Sequence, residues 1–277
     1  MKPFLKWAGG KRWLVSRYSN FLCDDARRHI EPFLGSGAVF FYANPKCAVL
    51  SDVNEELICA YIQLKKNASS VRDALSIHHE RHSSEYYYKV RSKCPIDPVE
   101  RAARFIYLNR TCFNGLYRVN LKGVFNVPKG TKTQVVYDDE DFDGYTNALK
   151  GAKLTSCDFS DTISIAGEGD FLYVDPPYTV KHNNNNFLKY NERIFSWSDQ
   201  KRLVECLADA AKRGAKILVS NADHKCIWDL YRSNMWNITS VERCSVLASS
   251  SKYRRNTTEV VISNYLDVSG NVVDTRF

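Results

Sequence analysis

Two periods of apolar spacing alternate along this chain. Residues 47–66, CAVLSDVNEELICAYIQLKK, open with a short apolar run that ends at Asp52 and continue with Leu57, Ile58, Tyr61, Ile62 and Leu64. The first part predicts a strand and the second an amphipathic helix. Residues 29–41, HIEPFLGSGAVFF, read as a short strand, a glycine turn and a helix start. From 67 to 112 the spacing is mostly helical and polar. Gly and Asn then cluster through NGLYRVNLKGVFNVPKG (114–130), which predicts a hairpin or an ordered loop. Further strands are predicted near 153, at 171–174, at 216–219 and at 258–265. A helix carrying Leu203, Leu207 and Ala211 precedes the third of these, with Ser198 as its N-cap and Gly214 at its end. No internal repeat is present, and NNNN (183–186) is the one low-complexity run. Strands alternating with helices at both ends predict an α/β sheet domain, 1–55 and 146–277, interrupted by a mainly helical insertion, 56–145.

One strand ends abruptly. DFLYVDPPY (170–178) runs four β-favouring residues into an acid, two prolines and a tyrosine. Neither proline has an N–H for a ladder, so the chain must leave the sheet at Asp175. Ligands of open α/β sheets bind at the carboxyl edge of the strands, which makes Asp175 a candidate site residue.

Composition narrows the class. The chain has 277 residues, 44% of them hydrophobic and 25% charged, ordinary for a globular protein with a real core. No apolar run approaches the ~18 residues that span a bilayer, and the N-terminus has no apolar region of a secretory signal. Nine cysteines without a C-x-x-C pair predict reduced thiols in a cytoplasmic protein rather than disulfides or a metal centre. The net charge is +8, and it is segregated. From Arg101 to Tyr137 stand seven Lys or Arg and no acid, and DDEDFDGY follows with five acids. Such a block fits a polyanion partner or an ordinary basic surface equally well.

Candidate chemistry lies elsewhere too. Phe33, Gly35, Ser36 and Gly37 follow a strand and open a helix, where backbone N–H groups can approach a ligand. Asp52, at the next strand end, can accept ribose hydroxyls, so the pair favours a nucleoside cofactor. The turn lacks the third glycine of a dinucleotide fingerprint and the Lys-Ser/Thr of a P-loop, against NAD and ATP. WAGGK (7–11) offers Lys11 to a carboxylate and the Trp7 face to a cation, although alone it reads better as a packed arm. His78 and His82 have metal-pair spacing but no third ligand nearby, and read as a solvated helix face.

FLKWAGGKR, EPFLGSGAVFF, SDVNEEL, YLNRTCFNGLYRVNLKGVFNVPKG and VDPPY stand here in the order found in Dam-type DNA adenine-N6 methyltransferases, the D12 class. The chain resembles that family from about Phe4 to about Tyr265. The resemblance implies a Rossmann-like S-adenosylmethionine-dependent sheet with an inserted target-recognition domain, and methylation of adenine, typically in 5′-GATC. It implies cofactor contacts at Trp7, Lys11, Asp52 and Asp175, with Phe33, Gly35 and Ser36 on the cofactor turn and Asp158 and Phe159 near its adenine. It places DNA contacts at Lys6, Phe113, Asn114, Leu116, Arg118 and Asn120, continuing to Pro128 and Lys132. The family often has an Arg-Tyr-Lys-type run after FNVPKG, where this chain has Thr131-Lys132-Thr133-Gln134, a change in the flanking phosphate contacts. Asp175, Pro176 and Tyr178 would be catalytic: two acceptors that orient the adenine amine, and a ring that stacks on the extruded base. Double-stranded DNA is the expected partner, the protein acting as a monomer at the nucleoid. The alternatives are methylation of RNA adenine or cytosine N4, and a catalytically silent DNA-binding relative. The segment 181–194 is expected to close over the target base.

Overall fold

The computed structural model describes residues 1–120, 122–179, 195–244 and 256–266. Seven strands form a single mixed sheet in the order β3-β2-β1-β4-β5-β7-β6, with β1 Arg28–Glu31, β2 Ala48–Asp52, β3 Ala152–Ser156, β4 Asp170–Val174, β5 Lys216–Ala222, β6 Asn237–Cys244 and β7 Asn256–Ser263. β4 runs parallel to β1 and β5, whereas β7 lies antiparallel between β5 and β6. The order reverses between β1 and β4, which makes their carboxyl ends the switch point where such sheets bind ligands.

Among the described residues the helices are α1 Arg12–Arg17, α2 Ala38–Ala43, α3 Glu55–Lys66, α4 Ala68–Glu80, α5 Ser84–Ser92, α6 Pro98–Thr111, α7 Phe142–Leu149, α8 Phe159–Ser164, α9 Trp197–Lys212 and α10 Lys225–Leu230. Their starts follow from local chemistry. Asn54 accepts the backbone N–H groups of Glu56 and Leu57 at the head of α3, and Asp97 with Pro98 opens α6. The N-cap of α9 is Ser196 rather than Ser198. Ser196 and Asp199 form a reciprocal capping box, which Ser198 cannot make because the residue three places on is Lys201. Gly214, at φ +89°, follows the end of that helix as expected.

The chain divides into two compact units. The first comprises 1–12, 34–46 and 50–157. Its centre is α6, buried continuously from Ala102 to Thr111, with α3 and α4 packed on it. The stretch 114–130 is an ordered loop rather than a regular hairpin, closed by two isolated bridges, Cys112 to Lys129 and Val119 to Phe125. Asn120 Oδ1 accepts the N–H groups of Lys122 and Val124, so a side chain takes donors that a ladder would need. The second unit comprises 13–33, 47–49 and 158–277. Its core sets Ile30, Leu172, Val174, Ile217, Val219 and Ile262 of the sheet against Leu203 and Leu207 of α9. β6 escaped the sequence reading because NITSVERC alternates weakly and gains its pairing only from β7. No helix among the described residues is long and apolar enough to cross a membrane.

His78 and His82 are not a solvated face. His78 stacks on Tyr107 with centroids 4.8 Å apart, and its Nδ1 lies 2.9 Å from the Tyr86 hydroxyl. His82 Nδ1 lies 2.8 Å from the Tyr107 hydroxyl. Burial, helped by Arg81 and Arg104, pushes the His78 imidazole down to about 4. The unfolded chain, with an ordinary imidazole near ~6.5, therefore takes up the proton first as pH falls. Stability is full above about pH 6.5 and drains away down to about pH 4, by at most ~3 kcal/mol. His78→Phe keeps the stacking ring and should flatten the fall of Tm across that window. A fall as steep as in the unmodified protein would show that His78 is not its source.

Candidate functional site

At the end of β4 the sheet register pairs Val174 with Val219, which sets Asp175 beside Ser220. The Ser220 hydroxyl donates to Asp175 Oδ1 at 3.0 Å, and the Tyr173 hydroxyl lies 3.1 Å from the same Ser220 oxygen. A serine has one proton to give, so Tyr173 is the donor in that second bond. Burial, with the Asp175 charge nearby, holds the Tyr173 phenol well above its usual value, which keeps it a donor. Pro176 is buried and Pro177 half-buried. Tyr178 then turns its hydroxyl onto Glu259 Oε2 at 2.6 Å. Glu259 is 2% exposed, and its other oxygen accepts Arg243 Nη1 at 2.7 Å.

The same unit carries an aromatic wall. Phe33, just past β1, stacks on Phe159 with centroids 5.4 Å apart, and Phe195 meets both rings edge-on. Asp158 caps α8 through Ser160, and Arg202 grips both its oxygens at 2.7 and 2.9 Å. The guanidinium also sits 4.1 Å over the Phe159 ring. Arg202 thereby holds the Asp158 carboxyl well below the usual carboxylate range. Asp158 is thus spent first on a helix cap and an ion pair, and a ligand reaching its oxygens would have to share them with Arg202.

In the first unit Asp52 is held from two sides. Oδ2 accepts the Gly35 N–H at 3.1 Å, and Oδ1 accepts the Asn54 N–H at 3.0 Å. Burial raises the Asp52 carboxyl, and these two donors oppose it. Gly35 sits at φ +49°, and a Cβ there would come within 2.8 Å of the Trp7 ring. Trp7 stacks on Tyr117 at 5.5 Å. Lys11 is 2% exposed and donates to the Gly9 carbonyl at 2.8 Å, while buried Ser36 neighbours Gly10. Gly35 therefore lies against the Trp7 ring and gives its N–H to Asp52, whose oxygens can each accept a further hydrogen bond.

The loop residues separate into exposed and structural. Phe113, Asn114, Arg118, Pro128 and Lys132 are exposed, and Leu116 is half-buried. Asn109, buried inside α6, accepts the Lys6 N–H at 3.0 Å and donates to the Lys6 carbonyl at 2.8 Å and the Gly115 carbonyl at 3.3 Å. A Cβ on Gly115 would lie 2.6 Å from Lys6 Cδ, so the lysine stem crosses the turn at its glycine. The Pro128 carbonyl accepts the Phe113 N–H at 2.9 Å and closes the base of the loop. Arg118 Nε donates to Asn126 Oδ1 at 2.8 Å. Asn120 is exposed, yet its carbonyl oxygen already serves the turn.

Asn109, Asn126, Arg202, Ser220 and Glu259 were missed in the sequence. Only Ser220 left a signal there, as a polar residue closing the apolar run KILV. The segment 181–194, expected to close over the base, lies outside the described residues. No group of three or more His, Cys, Asp or Glu with metal-binding geometry occurs among the described residues.

Residues 7–247 match the family model of the D12 class N6 adenine-specific DNA methyltransferases. A type II methyltransferase of Lactococcus lactis subsp. cremoris is 36% identical over 96% of each chain. A type II methyltransferase of Methanocaldococcus jannaschii is 38% identical over 80% of this chain and 84% of its own. The DNA adenine methylase of Haemophilus influenzae is 32% identical over 87% of each.

The contact of Gly35 with Trp7 sets a test. Gly35→Ala adds a methyl at a left-handed position and against an indole ring that is itself stacked, so a loss of about 1–3 kcal/mol is expected in urea unfolding. A loss under about 0.5 kcal/mol, within the range of ordinary surface changes, would show that the Trp7 ring is free to shift.

Proposed function

Because the chain belongs to the D12 class of N6 adenine-specific DNA methyltransferases, we propose that it methylates an extruded adenine of double-stranded DNA, in 5′-GATC, with S-adenosylmethionine as donor. The observation that carries this reading is Asp175 at the carboxyl end of β4, fixed by Ser220 and followed by Pro176 and Tyr178. S-adenosylmethionine supplies an electrophilic methyl group on a sulfonium. The residues present suit it. In the first unit buried Lys11 can bind its carboxylate, Asp52 can accept its ribose hydroxyls and the Trp7 face suits a cation; in the second unit, taken by itself, the stacked Phe33 and Phe159 rings suit an adenine. Gly35 and Ser36 keep the turn close to Asp52 and Gly10. Asp158 takes part through Arg202 rather than directly.

The protein's own task is to prepare the target amine. The N6 lone pair of adenine is delocalised into the ring, so the amine is a poor nucleophile. Asp175 and the Pro176 carbonyl each accept one N6 hydrogen, which holds the nitrogen closer to tetrahedral and turns the lone pair outward. The Ser220 bond sets the carboxylate orientation, and Pro177, by keeping the residue before it out of helical ψ, restricts the direction of the Pro176 carbonyl. Stabilising charge that develops on nitrogen, in fixed geometry, needs no covalent intermediate. Tyr178 offers its ring face to the extruded base.

Target reading falls to the loop. Arg118, held at Nε by Asn126, keeps Nη1 and Nη2 as a two-donor edge for guanine O6 and N7. Lys6, Phe113, Asn114 and Leu116 share the same turn, while Lys132 is suited to phosphates. In this reading 56–145 is the recognition domain and 1–55 with 146–277 the catalytic domain, working as a monomer in the cytoplasm.

Two measurements test the proposal. Asp175→Ala should lower kcat by at least ~10², the scale of losing one preorganised polar partner, while duplex binding persists; near-normal turnover would sink the mechanism. Arg118→Ala should lower kcat/KM on GATC far more than on single-base variants, since a bidentate pair is worth ~1–3 kcal/mol of discrimination. Lys132→Ala should instead weaken all duplexes alike and reduce the salt slope by about one unit. A uniform loss in Arg118→Ala would make Arg118 a phosphate contact.

A further inference from the structure

Glu259 is a carboxylate inside a sheet, and that is an expensive place for a charge. It stands on β7, opposite Ala222 of β5 and Val241 of β6, and is 2% exposed. Arg243 of β6 binds Oε1 at 2.7 Å. That pair alone does not explain the site, because well-packed apolar residues of similar volume usually serve stability as well as a buried ion pair. Glu259 Oε2 does something an apolar residue could not: it receives the Tyr178 hydroxyl at 2.6 Å. The bond joins a residue just past β4 to a strand beyond β5. Burial, with the Glu259 and Asp175 charges, keeps the phenol protonated and therefore donating.

A tyrosine ring is placed by two torsions: anchoring the hydroxyl at its far end holds the first, and because a phenol O–H prefers to lie in the plane of its ring, the direction of the Glu259 acceptor biases the second. We infer that Glu259, backed by Arg243, is a positioning residue that presets the ring plane of Tyr178, so that an extruded base meets a stacking surface already in place. Ordering the ring before the base arrives removes an entropic cost from the step that precedes chemistry. This inference rests on the proposed adenine methylation. It assigns Glu259 and Arg243 no contact with base or cofactor.

The test uses the full-length protein and a GATC duplex, unmodified or with 2-aminopurine at the target adenine. Tyr178→Phe keeps the ring and removes the tether. Glu259→Gln keeps the shape and an acceptor oxygen but loses the charge that holds Arg243. Each single variant should lower the single-turnover methylation rate by about tenfold, the size of a coupling between contacting side chains. The double variant should be no worse than the poorer single. KM for S-adenosylmethionine and duplex Kd should stay unchanged, while the 2-aminopurine emission of the bound duplex, which reports stacking on the ring, should shift in both singles. Independent losses that multiply in the double variant would overturn the inference. So would Glu259→Gln losses that follow Tm or Kd, and Tyr178→Phe emission and rate like the unmodified protein. Because Tyr178→Phe leaves the Glu259–Arg243 pair intact, the inference stays falsifiable even if Glu259 variants fold poorly. If the unmodified enzyme methylates adenine and the variants match it, this inference alone fails. If the unmodified enzyme methylates no adenine, the functional reading fails with it.

Discussion

A proline pair cannot donate to a sheet, so the central strand that holds Asp175 has to stop at Val174. Everything distinctive about the carboxyl edge follows from that stop. Past the end of the ladder, side chains of other strands take hold of Asp175 and Tyr178. Ser220 of β5 takes the acid and Glu259 of β7 takes the phenol. Both anchors are buried, at 1% and 2% exposure, where a hydrogen bond is stronger and its loss costlier than at the surface. The parallel neighbour β5 fixes the first anchor through the Val174–Val219 register, and the antiparallel insertion of β7 supplies the second.

The four-strand network beside this edge shows why a buried polar group is informative. Tyr173, Ser220 and Asp175 form a chain in which each hydroxyl has one sensible donor direction, ending on the carboxylate. Glu259 is shared between a cation and a phenol, and its two oxygens are divided between them. Both arrangements are satisfied networks, and a satisfied network specifies geometry more tightly than apolar contacts do. The proposed mechanism sets two acceptors around one amine, and that kind of rigidity serves it.

Sequence reasoning reached whatever is written locally. The apolar run to Asp52, the helix from Glu55 and the halt before Pro176 are contained within windows of a few residues. Even a local signal can be misjudged by a turn: Ser196 and Ser198 are both good caps, and only the Asp199 side chain decides between them. The anchors were not legible, for a different reason. Tyr178 and Glu259 are 81 residues apart, Ser220 and Asp175 are 45 apart, and Arg202 and Asp158 are 44 apart. No periodicity encodes such pairs, because the sheet order that joins them is itself the outcome of folding. The loop 114–130 took the second of its two expected forms, an ordered loop. Its glycines and asparagines correctly announced a turn, but Asn120 spends its side chain on the backbone, so a regular hairpin never forms.

Charge is the least direct of the sequence signals. Between Arg101 and Tyr137 the chain is entirely basic, yet Arg104 and Arg110 are 8% and 6% exposed and face no solvent-borne partner. Arg104 donates to the carbonyls of Val90 and Arg91, tying α6 to α5. Arg110 binds the Phe4 carbonyl and pairs with Glu140, a member of the acidic run that follows the basic one. The two blocks that look segregated in sequence thus neutralise each other in part once folded. A polyanion would feel the exposed remainder, Arg118, Lys122 and Lys132, which all stand on or just after the loop. Setting aside buried Arg104 and Arg110, and Arg101 paired with Glu56, leaves the remaining charge on residues 118–132. For the proposed reading of DNA, the exposed residues of that segment matter more than the net charge of the chain, because only groups that reach the groove discriminate sequence.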